Sequence, residues 1–505
     1  MRPRLIHSEP APSSAPRLLH RDADLVVVDK PAGWLTHPDG TAAGPHARPD
    51  VLTWLGGGLG VHQRLDVDTS GVLAFSASPA GAARLQGALA DRRAKKTYLA
   101  VVEGTPPAAE GRLTGAVPEA PGLPAETAWR VRRAGPGWTL VEAHPLTGRT
   151  HQIRAHLAQA GCPVRADARY GDPLDLRAPR LLLHCALLDL GDGARFEAEA
   201  PPELARYLGA PPEATRAGLA ADADTTCHRL LDGAADGCPG WAVDRYGDWL
   251  WVQHDAGTPL RPLPPSRGVY TVRAERDRSR GGQPAPALTA GEPAPQPLEV
   301  REHGVRYRVR LGEHLSTGLF LDQRPQRAWL ARHAEGLRVL NTFAHAGGFS
   351  VAAAVGGART VSVDLSRAWL DRIPEQLAAN GVDPAGHDAI FGDVFDWLGR
   401  LARRGERFEL VILDPPSTSV GSKKRRWSAA RDYADLVRLA APLVAPGGRL
   451  WTATNHRQLT PARFARQVRG GLPEGAFLER VCAPPIDFPC DDAPAPVKTF
   501  VWRLP

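Results

Sequence analysis

The chain has 505 residues, a length that predicts several domains, because a single domain typically spans about 100 to 200 residues. Hydrophobic residues make up 43% and charged residues 23% of the sequence, which excludes a disordered tail or a fibrous repeat. The sequence has no apolar run long enough for a membrane helix and no signal segment at its start, so we expect a cytoplasmic protein. The net charge of +7 allows a polyanionic partner without indicating one.

Six cysteines are spread along the chain without any CxxC pair, at positions 162, 185, 227, 238, 482 and 490. Neither a zinc site nor a disulfide framework is therefore indicated, and we expect free thiols and no bound metal.

The first half of the chain alternates short strand-like runs with helical segments. Residues 1–17 are rich in Pro and Ser and have no periodicity, which predicts a disordered lead. The predicted strands are 25–31, 72–78, 97–104 and 138–145, and the predicted helices are 81–95 and 150–161. Residues 18–205 are therefore expected to form an α+β domain with a mixed, mostly antiparallel sheet.

The second half begins after an Ala- and Pro-rich stretch, residues 206–224, that predicts a linker. Strand-like runs and a Pro- and Gly-rich segment predict a small β-rich middle domain over 225–312. Over 313–505, strands alternate with helical segments, which predicts βαβ units and an α/β Rossmann-like fold. The predicted strands of this last domain are 338–343, 360–366, 387–393 and 408–416.

The segment VHQRLDVDTSGVLAFS, residues 61–76, places Arg64, Asp66 and Asp68 beside a tight turn before an apolar strand. Composition alone favours a capping role for these charges. However, HQRLDVDTSGVL resembles the HRLDxxTSG motif of the RluA-like pseudouridine synthases. Further family blocks follow in the same order, at 29–38, 95–104, 147–172 and 180–185. The resemblance covers about residues 17–200.

This resemblance implies four active-site residues: Asp66 as the catalytic aspartate, Arg64 two residues before it, Tyr98 as the active-site tyrosine and Arg154 as the partner of the aspartate. Converting uridine to pseudouridine moves the sugar from N1 to C5 of the uracil, which needs a carboxylate as nucleophile or base but no cofactor. Arg154 would keep Asp66 ionised, and Tyr98 would stack on the uracil. The target nucleotide must leave its stack, and Arg64 could fill the vacancy.

Other polar residues of this half have simpler interpretations. Asp68 is expected to be a turn residue, and His151 and His156 are expected to pack or form hydrogen bonds. Lys30 fits a structural charge and an RNA contact equally well. Gln63 stands where the family commonly has His, a departure that concerns RNA contact more than catalysis.

In the second half, a Gly-containing turn at Gly347–Gly348 follows one strand, and Asp364 ends the next. This pattern suits NAD or S-adenosylmethionine, since the backbone approaches the ligand at the glycines while a carboxylate takes the ribose hydroxyls. LDPPS at 413–417 resembles the catalytic loop of nucleic-acid methyltransferases. Together with STGLFLDQRPQR (316–327), it resembles the RlmI/RlmK-like ribosomal RNA methyltransferases, over about residues 225–505.

The second resemblance implies S-adenosylmethionine as the cofactor and assigns residues to its parts. Gln323 and Arg324 would lie near its methionine end, Asp364 on its ribose and Asp393 near its adenine. Asp393 could instead be a helix N-cap. Asp414 and Pro416 would lie beside the target base.

The absence of a cysteine from one segment bears on which atom of the target base is methylated. Carbon 5 of cytosine becomes nucleophilic only after a cysteine adds to carbon 6, and that branch carries a cysteine after the PGG turn. The corresponding segment, residues 445–460, has Thr454 and Asn455 instead, so guanine N7 is favoured over cytosine C5. Cys482 and Cys490 could supply a thiol but are expected to be core or loop residues.

A basic run follows the DPP loop, formed by Lys423, Lys424, Arg425 and Arg426, with Trp427 beside it. We expect the four basic residues to contact RNA backbone and Trp427 to stack on a base.

The sequence thus predicts a bifunctional RNA-modifying enzyme acting on large-subunit ribosomal RNA. Two alternatives stay open: the C-terminal half could be a noncatalytic RNA-binding module, and the synthase could act on transfer RNA.

Overall fold

The computed structural model describes residues 6–7, 15–38, 48–255, 257–258, 261–274, 285–420, 426–491 and 497–505. Most of the predicted lead, together with Lys423, Lys424 and Arg425, lies outside these residues. The chain divides into an N-terminal unit, residues 7–210, and a C-terminal unit, residues 211–505 with residues 1–6.

The N-terminal unit is built on a mixed sheet with few helices. Strands are numbered from the start of the chain, and β1 (Ile6–His7) belongs to the large sheet of the C-terminal unit. The strands of the N-terminal unit are β2 (Arg17–Arg21), β3 (Leu25–Lys30), β4 (Gly60–Val61), β5 (Ser70–Ser76), β6 (Lys95–Glu103), β7 (Glu110–Val117), β8 (Ala120–Gly135), β9 (Trp138–Pro145), β10 (Leu183–Asp189) and β11 (Arg195–Glu197). The helices are α1 (Val51–Trp54), α2 (Pro79–Ala90), α3 (Gln152–Gln159) and α4 (Pro202–Leu208).

The strand order in this sheet is β2-β3-β5-β10-β6-β9-β8-β7, with β4 on β5 and β11 on β10. The β5/β10 pair is parallel and the other named pairs are antiparallel, which confirms the mixed, mostly antiparallel sheet. β5 is buried along its whole length, as its apolar sequence predicts for a central strand. The catalytic motif precedes β5 directly, so the sheet fixes one end of the loop that carries it.

The two helix predictions of this unit were right in position, but their boundaries differ from those of α2 and α3 by two to five residues. α2 begins at the N-cap Ser78, whose hydroxyl accepts a hydrogen bond from the Gly81 amide. It ends at residue 90 rather than 95, because Arg92 takes a left-handed conformation (φ 55°) and Lys95 already belongs to β6. α3 ends at Gln159, and Gly161 follows at φ 79°, as a C-terminal glycine does.

The C-terminal unit contains the remaining elements. Its helices are α5 (Pro212–Thr215), α6 (Ala217–Ala221), α7 (Arg324–His333), α8 (Gly348–Val355), α9 (Arg367–Leu370), α10 (Ile373–Ala379), α11 (Val394–Arg403), α12 (Ala429–Ala440) and α13 (Pro461–Arg469). Its strands are β12 (Cys227–Asp232), β13 (Trp241–Tyr246), β14 (Trp249–Asp255), β15 (Gly268–Ala274), β16 (Ala287–Gly291), β17 (Leu298–Glu302), β18 (Val305–Val309), β19 (Arg338–Thr342), β20 (Arg359–Asp364), β21 (Asp388–Phe391), β22 (Phe408–Leu413), β23 (Thr418–Val420), β24 (Arg426–Ser428), β25 (Val444–Thr454), β26 (Phe477–Cys482) and β27 (Lys498–Arg503).

The large sheet of this unit has the order β1-β26-β27-β25-β22-β19-β20-β21. From β21 to β25 neighbouring strands are parallel, whereas β27 pairs antiparallel with β25 and with β26. This is the predicted Rossmann-like sheet with an antiparallel edge added. The strand order reverses between β19 and β22, and the carboxyl ends of those two strands therefore flank a crevice where ligands bind in such sheets.

The middle segment forms a five-stranded sheet, β12 to β16 in order, followed by the hairpin β17/β18. The hairpin packs against α10 through Gln376, whose amide accepts from the Arg308 backbone N–H at 2.7 Å and donates to the Arg308 carbonyl at 2.9 Å. Its buried side chains share one core with those of α8 and α10. The middle segment and the Rossmann-like part therefore form one compact unit.

The segment predicted as a linker, residues 206–224, contains α5, α6 and the end of α4. Within the C-terminal unit, Arg216 is 2% exposed, lies 2.5 Å from the Asp236 carboxylate and donates to the Asp487 carbonyl at 3.2 Å. Residues 211–224 are therefore packed onto their own unit rather than extended, because a buried arginine needs these acceptors.

A buried ion pair between Arg324 on α7 and Asp487 holds the first helix of the Rossmann-like part. Arg324 Nη1 lies 3.0 Å from Asp487 Oδ2, and Nη2 contacts Oδ1. Asp487 also accepts from the Arg229 amide of β12, at 2.8 Å. Burial alone would raise the pKa of Asp487, but Arg324 and these hydrogen bonds keep it below its usual value.

Asp487→Ala should therefore lower the free energy of unfolding by about 3 to 5 kcal/mol, because it leaves a buried guanidinium without its anion. The measurement is urea unfolding followed by circular dichroism. Glu406→Ala is the matched control: Glu406 pairs with Arg338 at 2.8 Å on the surface, so its loss should cost less than about 1 kcal/mol. Equal costs for the two variants would contradict the stabilising role of the buried pair.

Candidate active sites

In the N-terminal unit, Asp66 lies in the loop between β4 and β5 and is held by Arg154 of α3. Arg154 Nη1 donates to Asp66 Oδ2 at 3.0 Å. The Asp66 side chain keeps 25% of its exposure while that of Arg154 keeps 12%, so the carboxylate is open to a ligand and the guanidinium is covered. The structure thus brings together the aspartate and arginine that the first resemblance implies.

Asp167 explains why Arg154 is fixed. Its fully buried carboxylate accepts from Arg154 Nε at 2.7 Å and from Nη2 at 2.8 Å. It also accepts from the backbone amides of Arg169 and Tyr170, which fixes the loop after α3. Burial of Asp167 opposes its charge, but the Arg154 hydrogen bonds bring its pKa below the usual value. The sequence analysis missed Asp167, although it lies within the matching block 147–172.

Tyr98 on β6 is 8% exposed. Burial, the neighbouring Cys185 and the negative charge of Asp66 raise the pKa of its phenol well above the ordinary value. Tyr98 therefore keeps its proton at neutral pH, so it can stack or donate a hydrogen bond but is a poor base.

Lys30 is fully buried, so it is a structural charge and not an RNA contact. Its ammonium group donates to the carbonyls of Pro31, Trp34 and Val67 at 2.8 to 3.1 Å. Burial lowers its pKa to about 7. Because Val67 follows Asp66 directly, Lys30 fixes the backbone that carries the Asp66 carboxylate.

Arg64 and Asp68 are exposed on either side of Asp66. This position leaves the Arg64 side chain accessible to a ligand. His62 is occupied elsewhere, since its Nε2 lies 2.8 Å from the Ser76 hydroxyl. The opposite side of Asp66 faces His151, whose Nε2 lies 3.8 Å from Asp66 Oδ1.

In the C-terminal unit, the turn between β19 and α8 is wrapped around Asp364, at the end of β20. Asp364 Oδ2 accepts from the His345 amide and Oδ1 from the Ser366 amide, both at 2.8 Å. Phe343, His345 and Gly347 of the turn have positive φ, and a Cβ on Gly347 would lie 2.8 Å from a carbon of Ile373. A turn whose backbone can approach a ligand closely, with a carboxylate beside it, fits the ribose and methionine parts of S-adenosylmethionine.

Asp393 caps α11, since its Oδ1 accepts from the Phe395 amide at 3.0 Å. The sequence left open that Asp393 is a helix N-cap, and the structure confirms that it caps α11. Gly392, before it, donates its amide hydrogen to the Asp364 carbonyl at 2.9 Å, so the cap lies close to Asp364 in the structure.

Gln323 and Arg324 are 3% and 2% exposed, respectively. Gln323 lies 3.2 Å from the Thr499 hydroxyl, and Arg324 binds Asp487. Both side chains are thus buried and engaged with protein groups.

Asp414 follows β22 at the switch point of the sheet, and no described residue donates a hydrogen bond to its carboxylate. Burial and the negative charge of Asp322 raise its pKa to about 7, which the positive charge of Arg327 opposes. The pKa of Asp322 is itself raised to about 6, chiefly by burial. Arg327 binds Glu302 with two 2.7 Å contacts. Asp322, missed by the sequence analysis, lies in the matched motif LDQR.

Pro416 is exposed beside Asp414, whereas Trp427 is 3% exposed. The Trp427 indole donates to the Pro416 carbonyl at 2.9 Å. The expectation that Trp427 stacks on RNA is therefore wrong: the ring is used to hold the DPP loop.

Arg426 is exposed next to Trp427, as an RNA contact requires. Ser417 donates to Asn455 at 2.6 Å, which joins the loop to the end of β25.

Within the part of the chain that the structure describes, no group of three His, Cys, Asp or Glu side chains is arranged to bind a metal ion. No described helix has the length and apolar character needed to cross a membrane.

Comparisons with known proteins agree with both sites. A family model described as RNA pseudouridylate synthase matches residues 24–159, and one described as S-adenosylmethionine-dependent methyltransferase matches residues 265–503. YwbD of Bacillus subtilis (strain 168) is 35% identical over 286 residues, which cover 52% of this chain and 68% of that protein.

Ribosomal RNA large subunit methyltransferase I of Erwinia tasmaniensis is 36% identical over 237 residues, covering 45% of this chain and 60% of that protein. The chain thus spans less than two thirds of the length of this second relative. The crystal structure of SMU.776 complexed with SAH is 28% identical, with a TM-score of 0.53, and the match covers 58% of this chain and 79% of that one.

Strands β19 to β22 and β25 to β27 of the Rossmann-like sheet, the Gly347 turn around Asp364 and the Asp66–Arg154 pair lie inside the matched regions. The chain therefore belongs to the S-adenosylmethionine-dependent methyltransferase family through its C-terminal half, joined in one enzyme to an RNA pseudouridylate synthase domain in its N-terminal half.

Proposed function

We propose that the chain is a bifunctional enzyme that modifies large-subunit ribosomal RNA, forming pseudouridine with its N-terminal unit and methylating a base with its C-terminal unit. The observation that carries the proposal is that each unit contains its own carboxylate site, Asp66 with Arg154 in one and Asp414 at the sheet crevice in the other. The ribosomal RNA substrate is supported by the name of the Erwinia relative.

In the synthase site, Asp66 is the nucleophile or base for the sugar carbon. Arg154 orients it through Oδ2, and Asp167 fixes Arg154 in turn, so the second oxygen stays free to react. Tyr98 supplies a ring face to the uracil, and the exposed Arg64 takes the place of the flipped nucleotide.

In the methyltransferase site, S-adenosylmethionine supplies an electrophilic methyl group when bound. Asp364 and the Gly347 turn would hold its ribose and methionine parts, and Asp393 would bind near its adenine. Asp414 and Pro416 orient the target base, while Arg426 and the basic residues before it contact the RNA backbone.

We infer guanine N7 as the acceptor, in preference to cytosine C5. Guanine N7 has a lone pair and needs alignment rather than covalent activation. Asn455, in the segment where the cytosine branch is expected to carry its cysteine, accepts a hydrogen bond from Ser417 beside the DPP loop. Cys482 and Cys490 are 4% and 7% exposed and pack in the core.

Asp66→Asn should reduce pseudouridine formation below about 1% of the wild-type rate, because the amide is neither nucleophile nor base. Mass spectrometry of modified ribosomal RNA measures the product. Methylation by the same variant should be unchanged, and Asp68→Asn, two residues away and exposed, is the matched control. Residual isomerisation by Asp66→Asn near the wild-type rate would refute the assignment.

Asp364→Ala should weaken S-adenosylmethionine binding at least about tenfold, since it removes a charged acceptor and frees the His345 and Ser366 amides. Isothermal titration calorimetry measures the Kd. Asp435→Asn, exposed on α12, should bind as the wild type does. If the wild-type protein binds no S-adenosylmethionine, the C-terminal half is a noncatalytic RNA-binding module instead.

Asp414→Asn should stabilise the fold at pH 8 more than at pH 5 while abolishing methyl transfer. The folded-state pKa of about 7 exceeds the ordinary value of 3.8, so the stability contributed by the buried acid is complete below pH 4 and is lost as the pH rises through 7. Urea unfolding at pH 5, 6, 7 and 8 tests this. A constant stability difference between variant and wild type across that range would show that Asp414 does not titrate there.

A further inference from the structure

A second group of polar side chains lies beside Asp66, near the carboxylate oxygen that Arg154 does not bind. It consists of His151, Tyr170, Glu119 and Arg169, which come from the start of α3, the loop after it and the turn between β7 and β8, and the guanidinium of Arg154 also lies 5.3 Å from the centroid of the Tyr170 ring. The sequence assigns none of them a role in the reaction, and His151 was expected only to pack or form a hydrogen bond.

His151 occupies a strained position. Its φ of 57° places it in the left-handed region at the N-cap of α3, yet its side chain does not cap the helix. A non-glycine residue in this region costs about 1 to 3 kcal/mol, and such residues concentrate at functional sites. The strained backbone directs the imidazole to the Asp66 carboxylate instead of to the helix end.

The contacts of His151 define which nitrogen faces the reaction. Nε2 lies 3.8 Å from Asp66 Oδ1, the oxygen that Arg154 does not bind. Nδ1 lies 3.2 Å from the Tyr170 hydroxyl and 3.7 Å from Glu119 Oε1. With the proton on Nδ1, pointing to Tyr170, the Nε2 lone pair is directed to Asp66.

The charges around His151 suit a neutral imidazole that can accept a proton. Burial and the cations Arg154 and Arg169 lower its pKa, while Asp66 and Glu119 oppose that shift. The ring is therefore uncharged at neutral pH, and the carboxylates of Asp66 and Glu119 lie close enough to stabilise the imidazolium that forms when it takes up a proton. Glu119 is kept charged by its ion pair with Arg169. Tyr170 keeps its proton, since burial and Glu119 raise its pKa.

The isomerisation requires such a group. After the N1–C1′ bond breaks and the C5–C1′ bond forms, C5 carries both the sugar and a hydrogen. The C5 proton must leave, and the electron pair of that C–H bond restores the C5–C6 double bond and shifts charge to N1, which then takes up a proton. Tyr98 is a poor acceptor because its phenol keeps its own proton.

We propose that His151 is the base that accepts the C5 proton through Nε2 and returns it to N1 or to water, with Tyr170 and Glu119 holding its tautomer. The proposal rests on the pseudouridine synthase activity proposed above. It assigns His151 a catalytic role and assigns Tyr170 and Glu119 positioning roles.

The test measures tritium release from ribosomal RNA transcribed with [5-³H]uridine, using the full chain. His151→Asn is the informative variant, because asparagine tolerates the left-handed backbone but cannot take up the proton. We expect its release rate to fall about 100-fold or more, with unchanged RNA affinity and a larger isotope effect from C5 deuteration. His20→Asn, on β2 with its side chain 37% exposed, is the control and should match the wild type.

A pH profile separates proton transfer from a structural role. The wild-type rate should rise with pH as the imidazole loses its proton. Glu119→Gln should move this rise to lower pH, because the imidazolium loses a stabilising carboxylate 3.7 Å away. This variant leaves residue 151 in place, so it decides the question even if His151→Asn proves unstable.

The proposal is overturned if His151→Asn releases tritium within about threefold of the wild-type rate with the same isotope effect, or if the Glu119→Gln profile is unshifted. In that case Asp66 itself removes the proton. If the wild-type chain releases no tritium at all, the proposed synthase function fails, which is a distinct result.

Discussion

Burial destabilises the charged form of a carboxylate unless a cation lies beside it. The two candidate active sites differ in whether a described residue provides such a cation. In the N-terminal unit, Arg154 is placed 3.0 Å from Asp66 and is itself fixed by Asp167. In the C-terminal unit, Asp414 has Asp322 as a neighbour and no described cation bound to it, and its pKa rises to about 7.

This difference suits the two reactions. A carboxylate that attacks or deprotonates a sugar must have a free oxygen and a fixed orientation, which Arg154 provides through the other oxygen. A group that orients a base for methyl transfer can work as a neutral acid, donating a hydrogen bond, or as an anion, accepting one. The nearby Arg327 leaves this choice open because Glu302 already binds it.

Buried charges that never meet the substrate do much of the positioning in both units. Lys30 holds the carbonyl next to Asp66, and Asp487 holds Arg324 at the start of α7. These residues stand within or beside sequence motifs and are easily taken for ligand contacts. Exposure separates these structural charges from residues that a ligand can reach. Lys30 and Asp487 are fully buried, whereas Arg64 and Arg426 are exposed to solvent.

The sequence by itself determined the two fold classes, the positions of β3, β5, β6, β9 and β19 to β22, and the residues of the motifs, because periodicity and turn chemistry are local properties of the chain. Only the tertiary structure decided which motif residues meet. Trp427 turned inward to Pro416, and residues far apart in sequence, such as His151 and Asp66, came within 3.8 Å. Burial and partner identity, and hence each charge state, depend on long-range packing, which a linear pattern does not encode.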